Sequence, residues 1–178
     1  MENRLFDDCM QRVVQGDKDA LHMIYEAYAG SLFHFILGIV GSYQDAEDLT
    51  SDLFLKLWKQ ADSYRPGGGH RQWLHTLARN LAIDHLRAHQ REIPNDPETM
   101  AETMTEAVHE PEEEVLGNLS VQQTLEQLTP SEREVVHLKV IADLTFSQIA
   151  AMLEIPMGTI TWRYRQAVSR LRRYGYEA

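Results

Sequence analysis

The sequence predicts an all-α protein: two small helical domains joined by an acidic flexible linker, the C-terminal one containing a helix-turn-helix. Three observations carry this. Apolar residues recur at helical spacing through both halves, while strand signals are weak throughout. Residues 92–117 contain nine acids, three prolines and no Lys or Arg, and lack sustained apolar periodicity, so they read as a linker. Asp143–Arg173 reads as two short helices meeting at a turn. The expected division is therefore 1–91, 92–117 and 118–178.

In the first half, a helix from about Arg4 to Val14 ends at Gly16, with Leu5, Phe6, Cys9, Met10 and Val13 in one apolar series. Cys9, the single cysteine, thus reads as a buried structural thiol. It rules out an internal disulfide and suits a reducing, cytoplasmic setting. Asp17 or Asp19 caps a second helix, whose apolar series Leu21, Ile24, Tyr25, Tyr28, Leu32, Ile36 and Ile39 runs to Gly41. No apolar run is expected to approach a membrane span, and the first residues lack a signal-peptide core. The third helix, DAEDLTSDLFLKLW (Asp45–Trp58), buries Ala46, Leu49, Leu53 and Leu57 and turns Asp45, Asp48, Ser51, Asp52 and Lys56 outward. Acids in its first turn suit the helix dipole.

SYRPGGGH (Ser63–His70) follows, with three glycines that make it the most flexible point of this half. A fourth helix then runs from Arg71 to about Arg91 on an apolar side of Trp73, Leu74, Leu77, Ala78, Leu81, Ala82 and Leu86. Two adjacent rows, Arg71/His75/Arg79 and Gln72/Thr76/Asn80, form a polar cationic strip beside the loop. Such a strip suits single-stranded DNA, and a plain solvated face accounts for the same residues. His85 and His89 stand at i,i+4, but no cysteine or carboxylate cluster completes a metal site, and a surface pair is the expectation. No nucleophile–base pair, phosphate-loop glycines or paired carboxylates stand out, so neither an enzyme nor a cofactor is expected.

In the second half, Leu119, Leu125 and Leu128 suggest a short helix. Thr129-Pro-Ser-Glu132 is a capping box with proline at the first helical position, opening a helix to about Ala142. Thr145 and Gln148 form a second box ahead of Ile149, Ala150 and Leu153. The last helix places Ile160, Tyr164, Ala167, Val168 and Leu171 on one side. Thr161, Trp162, Arg165, Gln166, Ser169 and Arg173 lie on the other. Between Pro156 and Tyr174 there are five arginines and no acid, the composition of a helix that enters a DNA major groove. Glu154 occupies the turn where glycine is common, so that turn is either of another type or strained. An ordinary helical hairpin with a basic face is the alternative. The net charge of −10 does not oppose DNA: it partitions as −2 over 1–91, −9 over 92–117 and +1 over 118–178.

Together, DAEDLTSDLFLKLW, WLHTLARNLAIDHLR and LTPSEREVVHLKVIADLTFSQIAAMLEIPMGTI resemble the conserved second and fourth regions of the extracytoplasmic-function (ECF) sigma factors of bacterial RNA polymerase. The resemblance covers almost the whole chain except the linker. It implies a non-enzymatic subunit that binds core RNA polymerase and recognises and melts promoter DNA, held in check by an anti-sigma protein. By this likeness Asp48, Leu49, Ser51, Asp52 and Leu55 meet the clamp helices of the polymerase's largest subunit. The loop Ser63–His70, including Tyr64 and Arg65, takes a flipped base of the minus-ten element, with Asn80 in the pocket and Arg71, His75 and Arg79 along the melted strand. Thr161, Trp162, Arg163, Arg165, Gln166 and Ser169 fall where the minus-thirty-five element is read, and Arg172 and Arg173 reach phosphates.

Thr161 and Trp162 depart from the basic residue and serine usual there, and His70 from the common aromatic. The linker is either an acidic insert in the polymerase's cationic channels or a solubilising tether. A free-standing helix-turn-helix regulator that does not bind polymerase explains Asp143–Arg173 equally well but leaves Arg71–Arg91 without a purpose. A helical scaffold without DNA leaves the arginine-rich last helix unexplained.

Overall fold

A computed structural model describes residues 1–92, with side chains to residue 89, and 127–173. The chain divides into two compact units, Met1–Ala107 and Val108–Ala178. Every regular element among the described residues is helical. The expected linker and the short helix around Leu119 and Leu125 lie outside the described residues.

The N-terminal unit comprises α1 (Asn3–Val14), α2 (Lys18–Val40), α3 (Tyr43–Lys59) and α4 (His70–Glu92), with a 3-10 turn at Ala61–Ser63. Each start has a local cause. Asp17 accepts hydrogen bonds from Asp19 N–H (2.9 Å) and Ala20 N–H (3.2 Å), which caps α2. Those bonds, the Ala20 one foremost, and Arg12 hold its carboxyl below the usual carboxylate range. Ser42 caps α3 by accepting from Asp45 N–H at 3.3 Å, so the helix begins two residues before the expected Asp45.

The central element is α2, which packs against α1, α3 and α4. Its buried Ile24, Tyr28, Leu32, Phe35 and Ile36 meet Phe6, Met10, Leu53, Leu57 and Leu74 in one core. At 23 residues with a mean hydropathy of 1.4 over its most apolar window, α2 is long and apolar enough to cross a membrane. This corrects the expectation that no apolar run approaches a span. Here those residues form the centre of a helical bundle. Cys9 is fully buried as expected, and burial pushes its thiol up.

The C-terminal unit comprises α5 (Pro130–Val136), α6 (Phe146–Leu153) and α7 (Met157–Arg173). Both expected capping boxes form. Thr129 N–H donates to Glu132 Oε2 (2.9 Å) while Glu132 N–H donates to Thr129 Oγ1 (3.3 Å). Thr145 N–H donates to Gln148 Oε1 (2.9 Å) while Gln148 N–H donates to Thr145 Oγ1 (3.2 Å). The helix expected to run to Ala142 instead widens into a π-helical stretch, His137–Ile141, closed when Ala142 N–H reaches His137 O at 3.0 Å. Asp143, at φ 56°, then ends it.

Besides its packing on α6, two contacts tie α7 to the α5 side of the unit. Leu128, Val136 and Ala167 are buried together with Tyr164 and Leu171 against them. Arg170 reaches the buried Glu132 at 3.4 Å. Burial pushes the Glu132 carboxyl up, but the Thr129 N–H and hydroxyl with Arg170 outweigh it and hold the group below its ordinary value.

Candidate nucleic-acid and polymerase interfaces

On α3, the apolar stripe Ala46, Leu49, Leu53 and Leu57 is buried, which leaves Asp48, Ser51, Asp52 and Leu55 exposed on the opposite face. Leu55 is 56% exposed, an apolar side chain left in water one turn after Asp52. Leu49, expected at a polymerase contact, is only 6% exposed. It points into the core because it shares the helix face of Leu53 and Ala46, so it is a packing residue and not a surface one.

The loop after α3 is more tightly built than three glycines suggest. Ser63 is exposed, its hydroxyl donating to Gln60 O at 2.7 Å, and Arg65 is exposed. Tyr64, expected to meet DNA, is buried: its hydroxyl donates to Asp7 Oδ1 at 2.6 Å and its ring lies 5.3 Å from Phe6 and 5.0 Å from Trp73. Burial and the neighbouring carboxylate push the phenol's pKa up. Gly67 and Gly69 have φ of 77° and 84°, backbone that side chains with a Cβ rarely adopt, and Gly67 N–H donates to Asp7 Oδ2 at 3.3 Å.

His70 is also a correction. It is 1% exposed, stacked 4.4 Å from Phe6 and hydrogen-bonded through Nε2 to the Tyr28 hydroxyl. Burial first, then the Arg71 and N-terminal charges, lower its pKa to about 4. The cationic row on α4 is broken in the same way. His75 is 1% exposed, donates Nδ1–H to Arg71 O at 2.8 Å and meets Phe35 edge-on at 5.1 Å. Burial lowers its pKa to about 4, against the opposing effect of that hydrogen bond. It turns inward because Leu74, Ala78 and Ala82 form the core stripe of α4 and two of the three are small, leaving room for the adjacent ring. The strip that reaches solvent is therefore Arg71 and Arg79, both half-buried, with the exposed Asn80.

Further along α4, His85 Nε2 lies 3.4 Å from Asp45 Oδ2 and its ring stacks 5.2 Å from His89. No group of three metal-ligating side chains occurs among the described residues.

In the C-terminal unit, α6 and α7 form the expected helix-turn-helix. Ile155 N–H returns to Ala150 O at 3.1 Å, and Glu154 between the helices sits at φ 56°, ψ 39°. Of the two turn readings, the strained left-handed one is found. Ile160 and Ala167 are fully buried, while Trp162 (59% exposed), Arg165, Gln166, Ser169, Arg172 and Arg173 face solvent. Arg163 and Thr161 are half-buried, and the Thr161 hydroxyl is within 3.1 Å of Met157 O and 3.0 Å of Gly158 O. Arg170 is committed to Glu132, as the sequence did not reveal. Nor did it reveal Phe6 and Asp7, whose partners lie about sixty positions away: Gly67 N–H meets Asp7 at a separation of 60.

Two helical units, one of them a helix-turn-helix with an arginine-rich second helix, define an all-helical DNA-binding protein. Comparison with known proteins narrows this. Sigma-70 region 2 matches residues 24–92 and Sigma-70, region 4 matches residues 124–173. The chain is 27% identical over 174 residues to the ECF RNA polymerase sigma factor SigW of Bacillus subtilis, covering 92% of this chain and 93% of that one. It is 26% identical to the RNA polymerase sigma-H factor of Pseudomonas aeruginosa, covering 90% of each. Among solved structures it resembles the sigma factor RpoE, in complex with the anti-sigma factor NepR from Bartonella quintana. The TM-score is 0.68 and the identity 25%, over 85% of this chain and 94% of that one.

The chain belongs to the sigma-70 family, in its ECF group. It is a sigma factor that binds core RNA polymerase and directs promoter-specific initiation of transcription, which excludes the free-standing regulator.

Proposed function

We propose a division of labour among the exposed residues. Asp48, Ser51, Asp52 and Leu55 dock α3 on core polymerase. Ser63 and Arg65 on the loop, with Arg71, Arg79 and Asn80 on α4, hold the melted minus-ten strand. Trp162, Arg165, Gln166 and Ser169, flanked by Thr161 and Arg163, read the minus-thirty-five duplex, while Arg172 and Arg173 hold its phosphates. The working domains are 1–91 and 118–178, with the acidic residues 92–117 between them. The protein acts in the cytoplasm, catalyses no reaction of its own and is restrained by an anti-sigma protein, as RpoE is bound by NepR.

The observation that supports this best is that, among several large apolar side chains left in water, Leu55 on α3 and Trp162 on α7 stand on the two faces in question. Each sits amid polar residues on the non-core side of its helix, where a bound partner would cover it. Reconstituted transcription tests it: purified chain plus core polymerase should initiate at a cognate promoter. Substitutions on α7 should reduce upstream duplex binding, and Arg79→Ala with Asn80→Ala should reduce permanganate-detected melting. Equal loss at both steps from either set would overturn the division.

A further inference from the structure

The matched region 2 begins at residue 24, which leaves α1 outside it. Yet α1 holds both ends of the Tyr64–His70 loop. At one end, Asp7 takes the Tyr64 hydroxyl on Oδ1 (2.6 Å) and the Gly67 amide on Oδ2 (3.3 Å), so both of its carboxylate oxygens are used on the loop. At the other, Phe6, fully buried, stacks on His70 at 4.4 Å and meets Tyr64 edge-on at 5.3 Å. Tyr28 closes the cluster from α2, its hydroxyl on His70 Nε2 and its ring 5.9 Å from Phe6.

A loop with Gly67, Gly68 and Gly69 in a row would by composition sample many shapes, and a loop that must accept one base cannot. Bidentate use of a carboxylate fixes both position and direction of what it holds.

We infer that Asp7 and Phe6 are positioning residues for minus-ten selection: they set the shape of the Tyr64–His70 loop without themselves touching DNA. This rests on the reading that the loop receives an unpaired promoter base. Asp7 contributes the polar half of the clamp and Phe6 the apolar half. The sequence specificity of the loop is then set partly by a helix some sixty residues away in the chain, and substitutions in α1 alter which promoters are opened.

The test uses full-length protein with core polymerase on a promoter pool randomised at the minus-ten element, scored by open-complex formation. Asp7→Ala should flatten selection at the flipped position by roughly tenfold, the order expected when charge-assisted hydrogen bonds are lost. Asp7→Asn, which keeps one acceptor oxygen, should fall between. Adding Tyr64→Phe to Asp7→Ala should cost nothing further. Core affinity and upstream selection should match wild type, as should those of Asp8→Ala, an exposed neighbour on the same helix. Hydrogen exchange at the Gly67 amide should speed up in Asp7→Ala, showing that the clamp has opened.

Arg65→Ala, on the exposed part of the loop, separates the two ideas. If Gly67 exchange rises and Arg65→Ala changes minus-ten selection but Asp7→Ala does not, the positioning role is overturned and the loop reading stands. If neither variant changes selection, the loop reading fails and the positioning role with it. If Asp7→Ala lowers core affinity and upstream selection in equal measure, its role is general folding and the inference is also overturned.

Discussion

Trp162 and Glu154 are single residues at which local physics predicts opposite consequences of substitution. Trp162 is 59% exposed, so its indole contributes little to the core. Trp162→Ala and Gln166→Ala should each leave thermal stability within about 0.5 kcal/mol of wild type, the usual range for surface changes. Gln166→Ala should relax upstream-element selection by about 1–3 kcal/mol in a randomised-promoter experiment, and Trp162→Ala should relax it as well. Unfolding of the C-terminal unit with unchanged selection would mean that the ring serves packing. Glu154 is held at φ 56° with a Cβ, a conformation that costs roughly 1–2 kcal/mol for an ordinary residue. Glycine removes that strain but adds about 0.5–1 kcal/mol of chain entropy. Glu154→Gly should therefore raise the stability of the C-terminal unit by about 1 kcal/mol in denaturant titration; a loss would mean that the glutamate makes a compensating contact.

Helix faces were legible wherever a single periodicity decided them. The α3 stripe, the capping boxes at Thr129 and Thr145 and the outward face of α7 could all be read from spacing, because burial and capping act over three or four residues. His75 was not legible, since a histidine beside a stripe of small residues fits a polar row and a core edge equally well. The Phe35 ring packed against it from α2, a tertiary contact, decides between them. Tyr64 and His70 were misplaced for a different reason: their partners Asp7, Phe6 and Tyr28 are brought to them by tertiary packing that no local pattern encodes. The face of α3 gives the sharpest test at this level. Asp48→Lys with Asp52→Lys reverses two exposed charges and should leave the helix folded. Core-polymerase affinity should fall by at least about 2 kcal/mol, measured by pull-down or fluorescence titration. Unchanged affinity would remove α3 as the docking element.

Over the whole chain, the −10 charge masks a polarity that matters for binding. The acids concentrate in residues 92–117, while the helix-turn-helix half is close to neutral with its arginines gathered on α7. Proton linkage is the second property of the molecule as a unit. His70 and His75 have pKa values of about 4 in the folded state, lowered chiefly by burial, against about 6.5 unfolded. Between these values the unfolded chain carries protons that the folded one does not. Stability should therefore be fully present above about pH 6.5 and decline as pH falls toward 4. Arg71 and the N-terminal amine push His70 the same way, and Asp7 opposes them. Thermal melts at pH 7.5 and 5.0 should show this drop, and His75→Gln should shrink the difference. An identical pH dependence in that variant would mean that His75 is not a source.

The clamp of Phe6 and Asp7 also bears on how the protein can be cut and handled. A fragment begun at Ile24, where region 2 starts, would keep every matched residue yet lose the ring on His70 and the acceptor of the Gly67 amide. Such a fragment would leave the His70 imidazole and the Tyr64 phenol facing water. The Tyr28 hydroxyl lies 3.3 Å from Met1 O, so an affinity tag fused ahead of Met1 would press on the same cluster. Dissection of this protein into parts is safest with the first fourteen residues retained and nothing fused directly to Met1.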